Sequence, residues 1–280
     1  TILANGSDHS DTFVDHLFVN NGTINLENAT GYLQDNTAGT YDASGGGVIN
    51  AHNSAALLVS LYANYSYKSD DDMNDHSVLK IGTLNISGDG IAARATSVGV
   101  GLKLGDSFPN ATVDISDGVI NVGKYSHGIR IDMEDNQTVN ISTDINVSGR
   151  QAVGISVDGL PSTGGMITNT GNITIDSRDN NGGDPSMGIA LQEKVTFTNK
   201  GNIYVTSAES VSAVGVYTER EFTQDGGGTK VISVDGANGV GIYNAMDYRL
   251  SESITIKDTS IKVSNRGIGF LSYSNSSTGI

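Results

Sequence analysis

The chain has 280 residues, with 36 Gly, 3 Pro, no Cys and no Trp, and a formal charge of −15 from 31 acidic and 16 basic side chains. That charge balance lacks the clustered cations that nucleic acid or an anionic lipid surface requires. The absence of Cys removes disulfides and thiol chemistry, and no apolar run approaches the ~20 residues of a membrane helix.

In chain order, residues 1–78 read as irregular coils. Ile24-Asn25-Leu26 has the apolar-polar-apolar alternation of a half-buried strand. Gly45-Gly46-Gly47 and an apolar stretch over residues 55–61 follow. Residues 64–77 carry Tyr65, Tyr67, Asp70, Asp71, Asp72 and Asp75, and are expected to form a protruding loop. Terminal units of a stacked array are commonly atypical because they cap it.

From residue 79 to 271 the pattern becomes regular. One segment type reads Val113-Asp114-Ile115, Val139-Asn140-Ile141 and Ile254-Thr255-Ile256. A second reads Leu84-Asn85-Ile86, Ile120-Asn121-Val122, Ile145-Asn146-Val147, Ile203-Tyr204-Val205 and Ile261-Lys262-Val263. A third is marked by Gly: Gly128-Ile129, Gly154-Ile155, Gly188-Ile189, Gly215-Val216, Gly241-Ile242 and Gly267-Ile268. The Gly spacings are 26, 34, 27, 26 and 26 residues, a period that signals stacked supersecondary units. β-Branched residues dominate and helical periodicity is absent.

These segments predict an all-β chain folded as a single right-handed parallel β-helix. Each coil has three strands and about 26 residues. About ten coils at ~4.8 Å per rung would make a rod of roughly 50 Å. The right hand follows from the strong preference of parallel crossovers.

Alternation also predicts the outward side chains. In the second strand type they run Asn25, Asn85, Asn121, Asn146, Thr174, Tyr204, Ser233 and Lys262. In the third they run Lys103, Arg130, Ser156, Ala190, Tyr217 and Tyr243, beside a row of small residues from Gly101 to Gly267. We expect binding to reside on these columns, chiefly Asn85, Asn121, Asn146, Thr174, Lys103, Arg130, Tyr217 and Tyr243. The Gly row would be a flat strip open to a partner. Stacked Asn also stabilises parallel strands by itself, and solvent-facing polar residues are ordinary.

Catalytic and metal patterns are not expected. Arg130, Asp132 and Glu134 share one strand end, but the neighbouring outward residues Lys103, Ser156 and Ala190 extend no acidic cluster of the kind that glycoside cleavage needs. The Asp residues at 70–75 lack an EF-hand or β-roll Ca²⁺ pattern. The five His residues show no metal-ligand spacing, and no G-x-S-x-G motif occurs. No cofactor or metal is anticipated.

Asn21-Gly22-Thr23-Ile24-Asn25-Leu26, Asn169-Thr170-Gly171-Asn172-Ile173-Thr174-Ile175 and Asn199-Lys200-Gly201-Asn202-Ile203-Tyr204-Val205, each followed by a Gly-marked strand, resemble the passenger-domain repeats of Gram-negative AIDA-like autotransporter adhesins. The resemblance covers residues 20–271. It implies a passenger fragment exported through the outer membrane by a separate C-terminal barrel and displayed on, or released from, the bacterial surface. It implies a non-enzymatic adhesin for autoaggregation, biofilm formation or host attachment. The partner would be a second copy on a neighbouring cell, or a host glycan or matrix protein met through a loop or groove. A polysaccharide lyase or hydrolase is the remaining alternative.

Overall fold

A computed structural model describes residues 2–5, 16–35, 38–61, 76–90, 97–105, 108, 110–134, 136–158, 164–178, 185–209, 211–247 and 252–273. The regular elements among them are all strands, and every pairing between them is parallel. The result is a β-solenoid. The alternating triplets described above are its strands, and each pairs with its equivalent one coil away.

Three rows of strands run along the solenoid. The first row includes Thr138–Ile141, Met166–Asn169 and Thr196–Asn199. The second includes Asp144–Val147, Ile173–Asp176 and Ile203–Thr206. The third is a ten-stranded sheet that includes Ser126–Met133, Val153–Val157, Ser186–Leu191 and Ala213–Thr218. Four strands, among them His76–Ser87 and Thr112–Val122, run through the first and second rows without a break and merge the two into one sheet. Gly82 at φ 62° and Gly118 at φ 137° make the bend within them, a conformation disfavoured for side-chain-bearing residues.

The coil is longer and less constant than 26 residues. Along the third row Tyr32, Leu57, Val100, Ile129, Ile155, Ile189, Val216, Ile242 and Phe270 stack in register, at steps of 25, 43, 29, 26, 34, 27, 26 and 28 residues. The repeat therefore averages about 29 residues. The 43-residue step contains residues 62–75, which lie outside the described residues and hold most of the expected loop. That loop does not reach residue 77: Ser77 is a buried strand residue. The rows also pass through the N-terminal third, where Thr23–Glu27 and Val48–His52 pair in register.

Inward positions form aliphatic columns. Ile120, Ile145, Ile173, Ile203 and Ile232 stack in the second row, and Ile129, Ile155, Ile189, Val216 and Ile242 in the third, all at 0% exposure. Each fully buried side chain of this size contributes roughly 1.5–3 kcal/mol. At the last described coil this core is uncovered. Ile256, Ile261, Val263 and Phe270 continue the inward columns but are 37–48% exposed.

The glycine row is not a surface strip. Gly99, Gly128, Gly154, Gly188, Gly215 and Gly241 are buried. A Cβ on Gly128 would lie 2.6 Å from the Gly154 carbonyl oxygen and 2.8 Å from Val122 Cγ2. Glycine here lets the third row close against the second-row aliphatics and the next coil. The register also corrects two members: Gly99, not Gly101, aligns with Gly128, and Gly269, not Gly267, aligns with Gly241. Gly154→Ala would place its Cβ 2.5 Å from the Gly188 carbonyl oxygen. We expect it to cost about 1–3 kcal/mol, read as a lowered urea midpoint with an unchanged far-UV spectrum.

Candidate functional site

The second row carries its outward side chains on a continuous column. Asn25, Asn50, Asn85, Asn121 and Asn146 are in register on five successive coils. Each Nδ2 donates to the Oδ1 one coil earlier: Asn50 to Asn25, Asn85 to Asn50 and Asn121 to Asn85 at 2.8 Å, and Asn146 to Asn121 at 3.1 Å. Thr174, Tyr204, Ser233 and Lys262 continue the column in register. None of these side chains is an amide, whose donor and acceptor sit on separate atoms, so the amide ladder stops at Asn146. Asn85, Asn121, Asn146 and Thr174 therefore share one face, as expected. Asn50 was missed because its flanking Ala51 weakens the apolar-polar-apolar signal.

Each ladder amide has two N–H groups and two oxygen lone pairs. An interior member such as Asn85 uses one of each on its neighbours and keeps one of each for solvent or a ligand. The ladder forms the floor of an open groove of about 510 Å³, bounded also by Glu27, His52, Ser87, Gly123 and Ser148. Glu27, His52 and Ser87 are themselves in register, two residues beyond the amide column.

One wall of this groove is a polar network that sequence reading did not reveal. His52 Nδ1 lies 3.0 Å from Ser87 Oγ, and its Nε2 lies 3.2 Å from Asp89 Oδ2. Asn53 Nδ2 donates to the same carboxylate oxygen at 3.0 Å, and the Asp89 amide donates back to Asn53 Oδ1. Hydrogen bonds from Asn53 and His52 hold the Asp89 carboxyl below its ordinary range. The partners are 35–37 residues apart, so only coil stacking brings them together. The backbone N–H groups of Gly88 and Asn53 donate to the carbonyls of Lys124 and Ser87, so neither is free for an oxyanion. The network instead fixes the imidazole at the groove edge and ties down the turn at residues 88–90.

The third row is arranged differently from expectation. Arg130 Nε donates to Asp158 Oδ1 at 3.0 Å, so its guanidinium is already engaged. Lys103 pairs in register with Asp132 and Ser60, two positions beyond the Arg130 column. Tyr217 and Tyr243 stack on each other at 5.6 Å and 16°. Each thus has a face taken by the other ring, and the pair offers less stacking surface than two separate tyrosines. The Tyr217 hydroxyl donates to Glu219 Oε1 at 2.7 Å. Burial, together with Glu219, pushes that phenol up to about 12.

His127 belongs to this row, in register with Val98 and Val153, with Nδ1 2.6 Å from Ser156 Oγ. Burial holds its imidazole below the ordinary value; Asp158 opposes that shift and Arg130 adds to it. A depressed histidine favours the fold above its unfolded value of about 6.5 and loses that contribution as pH falls. We expect stability to decline below about pH 6.5, and His127→Asn to flatten that decline in denaturation curves taken from pH 7.5 to 5.

No family model, curated protein or solved structure matches the chain. Among the described residues no group of three or more His, Cys, Asp or Glu side chains could hold a metal ion.

Proposed function

We propose that the chain is part of an autotransporter passenger: a right-handed β-helical adhesin, displayed on or released from a bacterial surface, that works through its lateral face without catalysis. The observation that carries this reading is the five-member amide ladder. It repeats one weak hydrogen-bonding unit on five successive rungs, and linked weak contacts add into avidity. The repeat phrases in the sequence support the passenger assignment, and the acidic surface suits a soluble exported rod.

The test is adhesion by beads coated with the chain, assayed against each other and against host cells and matrix. Asn121→Glu with Asn146→Glu should abolish adhesion with only a modestly lowered unfolding midpoint, because both side chains face outward and the loss is confined to two ladder bonds and one Glu–Glu contact. Beads that adhere to nothing at any salt concentration, or adhesion indifferent to this double variant, would overturn the lateral-face reading. If the partner is a second copy, two rods of charge −15 repel. Dimer formation in sedimentation velocity should then strengthen as salt shortens the Debye length.

A further inference from the structure

We propose that the groove over Asn25, Asn50, Asn85 and Asn121 binds a neutral, extended oligosaccharide laid along the coil axis, with about one sugar residue per rung. This rests on the adhesive reading and names its partner. The amides set the ligand chemistry. Each interior Asn keeps one N–H donor and one carbonyl lone pair directed away from its ladder bonds. A donor and an acceptor on one planar group match two adjacent hydroxyls of a sugar, one accepting and one donating.

The repeat sets the ligand geometry. Rungs of parallel strands are ~4.8 Å apart, close to the advance per residue of an extended pyranose chain. In an extended β-1,4-linked chain alternate residues are turned over, so the chain presents the same hydroxyl pair to every second amide without bending. The groove volume, about 510 Å³, is that of an oligosaccharide site and not of a single ion. His52, held between Ser87 and Asp89, gives the edge a fixed ring against which a sugar can rest.

Charge selects among glycans. The floor is uncharged, Glu27 stands at the N-terminal end, and the Asp89 carboxyl backs the His52 wall. Lys124 reaches that carboxyl at 4.0 Å and offsets it in part. On a chain of charge −15, sulfated or uronic acid chains would be repelled, and a neutral chain would not. A peptide adding as a strand is also disfavoured on this face, because the backbone bonds of the row are satisfied coil to coil.

The experiment is isothermal titration of the intact chain with neutral β-1,4-linked glucose or mannose oligomers of two to six residues, which keep an adjacent hydroxyl pair on every residue, alongside an array of neutral, sialylated and sulfated glycans. The expected result is binding of neutral chains whose affinity grows with length up to about four residues, one per amide of the groove, and then levels off. It should change little between low and high salt. Asn50→Ala with Asn85→Ala should weaken binding at least tenfold. Asn85→Ser keeps a hydroxyl at the site and should weaken it less. Asn140→Ala, on the first row, should leave it unchanged. Binding of sulfated chains alone, no binding of any neutral glycan, or binding indifferent to the Asn50/Asn85 pair would each overturn the proposal. Adhesion by coated beads in the absence of glycan binding would overturn it in favour of a second copy or a protein partner, with the adhesive reading intact. Loss of both would remove that reading as well.

Discussion

Phe197→Ala is expected to lower stability by about 3–5 kcal/mol and to break the cooperative unfolding of the rod. Phe197 is 1% exposed and lies in register between Ile167 and Phe222 in the first row. Its ring meets that of Phe222 at 6.1 Å between centroids, tilted by 32°. Truncation leaves a cavity inside a stack whose coils touch only their neighbours, so no distant element can move in to fill it. The same one-dimensional connectivity means that a weak interface separates the coils on either side. Urea unfolding followed by circular dichroism should therefore change from one transition to two, one for the coils on each side of the truncation. A single transition at the original midpoint would contradict this account of how stability propagates.

The strands were legible in the sequence because burial in a solenoid is local and periodic. In Ile145-Asn146-Val147 the two apolar residues point inward and Asn146 points outward, so the triplet announces both its secondary structure and its faces. The same logic placed Asn85, Asn121 and Asn146 on one column. It failed where register depends on a local irregularity. Gly128 sits between His127 and Ile129, which pair with Val153 and Ile155, and both Gly128 and Ile129 are buried. Simple alternation would have sent one of them outward, and it therefore read a buried column as a surface strip. It also could not see the contacts of Arg130 with Asp158, or of His52 with Ser87 and Asp89. Those pairs are set by coil length, and the coil steps here range from 25 to 43 residues.

A second amide ladder, this one inside the rod, gives the other large effect. At the corner between the first and second rows, Asn169 Nδ2 donates to Asn199 Oδ1 at 2.6 Å, and Asn199 Nδ2 donates to Gln224 Oε1 at 2.7 Å. All three side chains are at 0% exposure. The Gly201 carbonyl accepts from both Asn199 Nδ2 and Gln224 Nε2. Asn199→Asp is nearly isosteric, but it replaces the donor with an oxygen facing two acceptors. Gln224 can turn its amide to meet the new carboxylate, and the Gly201 carbonyl then loses both donors. Either arrangement leaves a buried polar group unsatisfied or a buried charge poorly compensated, and should cost about 3–5 kcal/mol at neutral pH. Protonation relieves the cost, because the acid can donate again. The folded-state value of the new carboxyl is thus raised above its unfolded value of about 3.9. The penalty relative to the unmodified chain should be small below pH 4 and grow as pH rises through the folded value. Paired denaturation curves at pH 4 and pH 7 measure it. An equal penalty at both would mean that the corner is held by shape and not by the direction of its hydrogen bonds.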